Sequence, residues 1–255
     1  MADRMIIIIV LLSGWLYSPM ALAAETKGIA EASHRTETVV LLHGIARTAG
    51  SLGSLESSLQ DAGYNTVAIT YPSTDYSIDK ITDYLHKNHL TEDFWSEQDK
   101  VHFVSHSMGG LVTRAYLDKY RQDKIGRVVM LAPPHGGSEV ADLLSGFPLY
   151  DWYYGPAGAE LKTGHRQKDK TKPYYDVGII AGTREWPYIV AAFLVPGKGD
   201  GRVSVKNTKW PGAKDHIALP ATHTFIMNKK TVHDHVLEFL ENGKFTTPEL
   251  APAKP

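Results

Sequence analysis

The chain has 255 residues, of which 43% are hydrophobic and 22% are charged, and its formal net charge is -1 at pH 7. This composition is that of an ordinary globular protein, and the length suits one large α/β domain. The near-neutral charge argues against a nucleic-acid partner, which requires a basic surface. The chain contains no cysteine, which excludes disulfide bonds and lipid attachment to a cysteine.

The first segment of the chain has the features of a secretory signal peptide. Arg4 precedes the apolar run IIIIVLLSGWLY, and Ala21-Leu22-Ala23 has the A-x-A pattern of a signal-peptidase site. The apolar run is shorter than the roughly 20 residues of a transmembrane helix. We therefore expect residues 1–23 to be a signal peptide and the protein to be exported, either to a bacterial periplasm or out of the cell.

Short apolar runs alternate with amphipathic segments through the rest of the chain. Runs that are continuous in Val, Ile and Leu are typical of strands buried on both faces of a parallel sheet. They lie at residues 38–42, 66–70, 101–104, 127–132 and 177–181. The stripes Leu52–Leu55–Leu59 and Ile78–Ile81–Leu85 predict helices between them. We expect a doubly wound, mostly parallel α/β sheet with helices on both faces over residues 24–246.

The end of the chain contains one further predicted helix. Thr231 and Asp234 resemble a capping box at its start, and Asn242-Gly243 is typical of a helix end. The tail at residues 247–255 is rich in Pro and Ala, so we expect it to be disordered.

The segment HFVSHSMGGLVTRAYL at residues 102–117 resembles the nucleophile elbow G-x-S-x-G, with Ser107 at the strand-to-helix turn. The residues two before and two after the serine must be small, because the strand and the helix nearly touch there. Gly109 satisfies this requirement, and Ser105 replaces the first glycine. The alternative is that Ser107 only caps the helix.

Three other positions fit the chemistry of a serine nucleophile. His43-Gly44 ends the first strand, so the amides of Ile45 and Met108 are candidates for an oxyanion hole. Asp200, in what we expect to be an exposed Gly-Asp-Gly turn, and His223 then follow the last strong strand. The order Ser107, Asp200, His223 is that of the α/β-hydrolase triad. The His43-Gly44 pair and the Gly-Asp-Gly segment each have an alternative interpretation as a simple turn.

The chain has twelve histidines, so other assignments stay open. His216, beside Asp215, is an alternative base, and Asp215 and Asp176 are alternative acids. Asp176 begins a strand and therefore belongs to the wrong end of the sheet. We expect His106 to orient the elbow. No spacing in the sequence is typical of metal ligands, so no metal and no cofactor is expected.

Residues 143–175 form a long excursion between two strands and are a candidate cap over Ser107. Four apolar side chains in it are candidates for acyl binding, namely Phe147, Leu149, Tyr150 and Trp152. The alternative is a surface excursion whose aromatic residues pack on the sheet edge.

These segments together resemble a bacterial lipase or esterase of the α/β-hydrolase superfamily. The resemblance extends over about residues 38–242 and depends on VVLLHGI, VSHSMGGLVTR, LAPPHGGSEVAD and GDGRVSV. It implies hydrolysis of carboxylic esters of apolar acyl groups through an acyl-enzyme on Ser107. The expected partner is a small-molecule or lipid ester, with transient contact with a lipid interface. Alternatives are an acyltransferase or thioesterase with the same triad, or a non-catalytic lipid-binding protein of the same fold.

Overall fold

A computed structural model describes residues 37–144, 155–161, 172–185 and 198–246. The expected signal peptide at residues 1–23 and the tail at residues 247–255 lie outside these ranges. So do the four side chains predicted to bind the acyl group.

The described residues form one sheet of six parallel strands. The strands are β1 (Glu37–Leu42), β2 (Asn65–Ile69), β3 (Lys100–His106), β4 (Ile125–Leu131), β5 (Asp176–Gly182) and β6 (Asp215–Leu219). Their order in the sheet is β2-β1-β3-β4-β5-β6. The predicted parallel α/β sheet is confirmed.

The described helices follow the strands in alternation. They are α1 (Gly53–Asp61), α2 (Ile78–Asn88), α3 (Glu92–Glu97), α4 (Met108–Lys119), α5 (Glu139–Leu144), α6 (Val205–Thr208) and α7 (Lys230–Asn242). Short 3₁₀ turns lie at Ala49–Leu52 and Ile226–Asn228, and residues 155–159 form one further helical turn. None of the helices in the described ranges is long and apolar enough to span a membrane.

The helices cover both faces of the sheet. On one face, the stripe Ile78–Ile81–Leu85 of α2 joins residues of α4 in one buried cluster. On the other face, Leu55 and Leu59 of α1 join residues of α7 in a second cluster. These leucines and isoleucines are fully buried, and each contributes about 1.5–3 kcal/mol to folding. The central strands lie between the two clusters, and this packing fixes the positions of their carboxyl ends.

Two details of the sequence analysis are wrong. Strand β6 was not predicted, because as an edge strand it is only partly buried and lacks a continuous apolar run. The capping box at Thr231 does not form. Helix α7 begins at Lys230, two residues before the start that a cap at Thr231 implies. It has no side-chain cap and pairs Lys230 with Asp234 at 2.7 Å. The predicted end at Gly243 is confirmed, since that glycine has the left-handed φ of 69°.

The strand order creates a crevice at one edge of the sheet. The chain passes from β1 to β2 on one side and then returns to place β3 on the other side of β1. Ligand sites in sheets of this kind lie at such a switch point, outside the carboxyl ends of the strands. The loops that follow β1 and β3 begin with His43 and Ser107, so both lie at this crevice.

Several histidines are buried in this framework. Burial is the main cause that lowers the pKa of His43, His102 and His106, and the shift is largest for His106. The Nδ1 atom of His102 accepts a hydrogen bond from the Arg127 amide at 3.0 Å, which requires a neutral ring nitrogen. The folded protein therefore holds these rings in the neutral form.

We expect the free energy of unfolding to fall as the pH is lowered from 7.5 to 5. Unfolded histidines take up a proton near pH 6.5, whereas the buried rings stay neutral, so acid favours the unfolded state. Each ring that remains neutral contributes a slope of about 1.4 kcal/mol per pH unit below 6.5. Urea unfolding at a series of pH values measures this slope. His106→Phe removes one ring that takes up a proton in the unfolded state. The free energy of unfolding of this variant should therefore depend less steeply on pH than that of wild type, whatever its absolute stability. Equal slopes for the two proteins would contradict this expectation.

Candidate active site

Ser107 occupies a strained turn between β3 and α4. Its φ of 54° and ψ of −125° lie in a region that non-glycine residues rarely adopt. The Ser107 amide donates to the Leu131 carbonyl of β4 at 2.8 Å, which fixes the turn to the sheet. A Cβ atom at Gly109 would lie 2.5 Å from the Leu42 carbonyl oxygen, so only glycine fits there. The close contact of α4 with β1 therefore sets the shape of the elbow.

The side chain of Ser107 points to a histidine rather than to its own helix. It makes no side-chain cap bond to α4, although it occupies the N-cap position. Instead its Oγ lies 2.9 Å from Nε2 of His223, and the two residues are only 6% and 5% exposed. This geometry disagrees with the alternative in which Ser107 is only a helix cap.

Asp200 sets the orientation and tautomer of His223. The Nδ1–H group of His223 donates to Oδ2 of Asp200 at 2.7 Å, so Nε2 is left to accept the hydroxyl proton of Ser107. The other carboxylate oxygen of Asp200 accepts from the amides of Arg202 and Val203 at 3.0 and 2.9 Å. Asp200 is 0% exposed, so the expectation of an exposed turn was wrong. The structure thus brings together Ser107, Asp200 and His223 in one hydrogen-bonded chain.

His106 connects the elbow to the loop that carries His223. Its Nε2–H group donates to the backbone carbonyl of His223 at 2.9 Å, and the two ring centroids are 5.0 Å apart. A Cβ atom at Gly44 would lie 3.0 Å from Nδ1 of His106, so the ring also packs against the loop after β1. Burial, followed by the charges of His223 and Arg47, lowers the pKa of His106 far below its ordinary value. Neutral His106 therefore connects the elbow, which the sequence analysis expects it to orient, to the loop after β6. We call this loop, which carries His223, the base loop.

The loop after β1 is held by a second buried histidine. His43 donates from Nδ1 to the Gly44 carbonyl at 2.8 Å, and its Nε2 accepts from the Tyr71 amide at 3.2 Å. The Tyr71 ring stacks on His43 with centroids 4.1 Å apart, and its hydroxyl donates to the His43 carbonyl. Ala46 has a positive φ of 54° and donates to Oγ of Ser73 at 3.0 Å. Nothing in the sequence singled out Tyr71 or Ser73.

Two backbone amides beside the elbow are available to a substrate oxygen. Met108 is the first residue of α4 and Ile45 follows the His43-Gly44 pair, as the sequence analysis expects. Within the described part of the chain, neither amide donates a hydrogen bond. A pair of unused N–H groups at a buried turn is the arrangement that stabilises a developing oxyanion.

The alternative acids and bases have other partners. His216 lies on β6 and its Nε2 pairs with Oγ1 of Thr208 at 2.9 Å. Asp215 accepts from the amides of His216 and Phe245. Asp176 begins β5 and pairs with Lys214 at 2.6 Å, at the opposite end of the sheet from Ser107. Among the described residues, no group of three or more His, Asp or Glu side chains is placed to hold a metal ion.

Glu139 fixes the loop that carries Asp200. Its carboxylate accepts from the Asn207 side chain at 2.8 Å and from the Ser204 amide at 3.3 Å. The Gly136 amide also donates to the Asn207 carbonyl, at 2.7 Å. Sequence reasoning used LAPPHGGSEVAD only as a resemblance and did not assign this role. An acidic residue in the segment that follows β4, at the start of α5, was the signal that could have indicated it.

One described part of the candidate cap contacts α2 and the loop after β4. Glu160 accepts from the Ile78 amide at 2.9 Å, at the start of α2, and Ala157 and Leu161 are buried. The Leu161 carbonyl accepts from the Ser138 amide at 2.8 Å. Residues 155–161 are therefore attached near the crevice, while the predicted acyl-binding residues fall in the part of the excursion that is not described.

We expect Ser105→Ala to stabilise the protein. Ser105 is fully buried on β3, and its hydroxyl has no hydrogen-bond partner among the described residues. An unpaired buried hydroxyl costs about 1–3 kcal/mol, and alanine removes it without creating a large cavity. Urea unfolding should show an increase of about 1 kcal/mol in the free energy of unfolding. A decrease of that size would mean that the hydroxyl is satisfied in solution.

Comparison with known proteins gives a consistent family and fold. Residues 39–240 match the sequence profile of the alpha/beta hydrolase family. The mature lipase BlEst2 of Bacillus licheniformis superposes with a TM-score of 0.66 at 21% identity, covering 80% of this chain and 91% of that chain. The metagenomic carboxyl esterase MGS0156 gives a TM-score of 0.65 at 17% identity, covering 81% and 76%.

The same fold also serves a different chemistry. A bromoperoxidase from Bacillus anthracis gives a TM-score of 0.55 at 20% identity, covering 81% of this chain and 92% of that chain. No curated protein sequence matches the chain. At these identities the structural matches establish the fold alone, so the activity has to be argued from the site.

Proposed function

Because the chain belongs to the alpha/beta hydrolase family, we propose that it is a serine hydrolase that cleaves carboxylic esters of apolar acyl groups, as lipases and esterases do. The observation that supports this proposal most is the hydrogen-bonded chain from Asp200 through His223 to Ser107. Its two bonds are 2.7 and 2.9 Å long, and it ends at a strained elbow beside two unused amides. The preference for apolar acyl groups is based on the aromatic sequence around residues 147–152.

In the proposed first step, Oγ of Ser107 attacks the ester carbonyl carbon while Nε2 of His223 takes the hydroxyl proton. The carbonyl oxygen becomes an oxyanion that accepts from the amides of Ile45 and Met108. Asp200 stabilises the imidazolium that forms and keeps its ring in place. When the tetrahedral intermediate collapses, the bond to the alcohol breaks and His223 returns its proton to the leaving oxygen. An acyl-enzyme on Ser107 remains.

In the proposed second step, water takes the place of the serine hydroxyl. His223 removes a proton from the water as its oxygen attacks the acyl carbon, and the proton then passes to Oγ of Ser107 as the ester bond breaks. The products are a carboxylic acid and the free enzyme. The buried hydrogen bond from His106 to the His223 carbonyl supports both steps, because it keeps the base loop at the same distance from Ser107.

We also propose that the enzyme acts outside the cytoplasm. The basis is the apolar run after Arg4 and the Ala21-Leu22-Ala23 pattern, both of which precede the described residues. An extracytoplasmic enzyme without cysteine depends on its apolar core and hydrogen bonds for stability, and the two buried clusters on the sheet supply that core.

The test is hydrolysis of 4-nitrophenyl esters of increasing acyl length, with thioesters of the same acids alongside. We expect turnover of the oxygen esters, and we expect Ser107→Ala to lower kcat/KM by about 10⁴-fold or more because the nucleophile is lost. Asp200→Asn should lower kcat by about 10⁴-fold, because the tautomer of His223 is then wrong.

Ser57→Ala is the matched control, since Ser57 is an exposed serine on α1 whose hydroxyl, among the described residues, donates to the Gly53 carbonyl of its own helix. It should have wild-type activity. Folding of each variant is checked by its thermal midpoint. A folded wild type that cleaves no ester, or a Ser107→Ala variant that is fully active, would refute the proposal. Turnover of thioesters alone would favour a thioesterase instead.

A further inference from the structure

A cavity of about 470 Å³ lies beside the loop that carries Ile45, at the carboxyl ends of β1 and β2. The residues of its wall that matter here are Arg47, Thr48, Thr70, Tyr71, Ser73 and Thr74. All of them bear a polar group, and neither the mechanism proposed above nor the sequence analysis uses any of them. A cavity with this lining differs from the aromatic acyl pocket that the sequence predicts.

The cavity is preformed, and Ala46, which lines it, directly follows Ile45 of the candidate oxyanion hole. The Ala46 amide donates to Oγ of Ser73 and the Ala49 amide donates to Oγ1 of Thr70, both at 3.0 Å. These bonds tie the loop after β1 to the loop after β2. The stacking of Tyr71 on His43 also joins the ends of β1 and β2. A group bound in the cavity would therefore find its partners already in position.

Arg47 is the one charged residue among the described residues that line the cavity, and no carboxylate lines it there. Its positive charge acts, after burial, to lower the pKa of His43 and His106, so it lies within electrostatic range of the elbow. Arg47 lies two positions after Ile45, and two positions span at most about 7 Å of chain. An anion held by Arg47 would be close to the ester carbonyl.

We propose that this cavity binds an oxyanionic group of the substrate, a carboxylate or a phosphate, with Arg47 as its charged ligand and the neighbouring hydroxyls as neutral donors. The planar guanidinium matches two oxygens of such a group and has five N–H donors, enough to serve the protein and a ligand together. The inference depends on the proposed esterase function and names its substrate class, namely esters that bear a negative charge near the scissile bond.

The test compares two pairs of esters in which only one member bears a charged group. The first pair is 1-butyrylglycerol 3-phosphate and 1-butyrylglycerol, and the second is O-butyryl glycolate and O-butyryl glycolamide, whose amide adds no second ester bond. Acid release is followed by titration at constant pH. For each pair we take the ratio of kcat/KM for the charged ester to kcat/KM for the neutral ester, and we expect this ratio to exceed one in at least one pair. The pair with the larger ratio identifies phosphate or carboxylate as the recognised group.

Arg47→Gln should reduce the charged-to-neutral ratio of kcat/KM by about tenfold or more, because a charge-assisted hydrogen bond is lost. The ratio for Arg47→Lys should lie between those of wild type and Arg47→Gln, because lysine keeps the charge but not the planar set of donors. Raising the salt concentration should also reduce the ratio in wild type. The matched control is Arg121→Gln. Arg121 is exposed, follows α4 and lies over the Tyr174 ring, so its loss should not change the ratio. A wild-type ratio of one or less in both pairs, or a ratio unchanged by Arg47→Gln, overturns the inference.

A binding measurement separates this inference from the proposed function. Calorimetry of wild type with glycerol 3-phosphate, glycolate and glycerol requires no turnover. We expect one of the two anions to bind more tightly than glycerol, and Arg47→Gln to weaken that binding by about tenfold. If neutral esters are cleaved but neither anion binds, the inference is wrong and the esterase proposal stands. If no ester is cleaved but an anion binds through Arg47, the anion site stands and the esterase proposal fails.

Discussion

The close contact between Gly109 and the end of β1 is the constraint on which the site depends. No Cβ atom fits there, since it would lie 2.5 Å from the Leu42 carbonyl oxygen and 2.7 Å from that of His43. The contact brings α4 directly onto the strand end and forces Ser107 into its positive-φ conformation, which costs about 1–3 kcal/mol. The parallel sheet, buried by helices on both faces, supplies the stability that holds this strain. As a result the serine hydroxyl and the Met108 amide project from a rigid turn.

Around this elbow, buried polar groups join the ends of four strands and the loop after a fifth. His43 and Tyr71 connect the ends of β1 and β2, and the Ser107 amide connects β3 to β4. His106 then reaches the loop after β6 through the His223 carbonyl. Each of these three hydrogen bonds joins residues that are more than twenty positions apart in the chain. Such networks specify one arrangement, because a buried donor or acceptor that loses its partner carries a large desolvation cost.

The central part of the fold was predictable from the sequence, and so were three polar residues that the structure brings together, but the contacts that support them were not. Strands β1 to β5 are continuous apolar runs, so they were visible, whereas the half-exposed edge strand β6 was not. Ser107, Asp200 and His223 were selected because local motifs and chain order carry their signal. The burial of Asp200 was missed because a Gly-Asp-Gly segment resembles a surface turn. Nothing local indicates that the amides of Arg202 and Val203 and the ring of His223 surround its carboxylate. Contacts such as His106 to His223 span 117 residues and leave no local pattern.

The central claim is that Ser107 is an activated nucleophile, and covalent labelling tests it most directly. A fluorophosphonate probe reacts with such a serine when Oγ bonds to phosphorus, fluoride leaves and the hydroxyl proton is released. We expect intact-mass measurement of the folded protein to show one added phosphonyl group, peptide mapping to place it on Ser107, and Ser107→Ala to remain unlabelled. A folded wild type that stays unlabelled, or a label on another residue that persists in Ser107→Ala, would contradict the account.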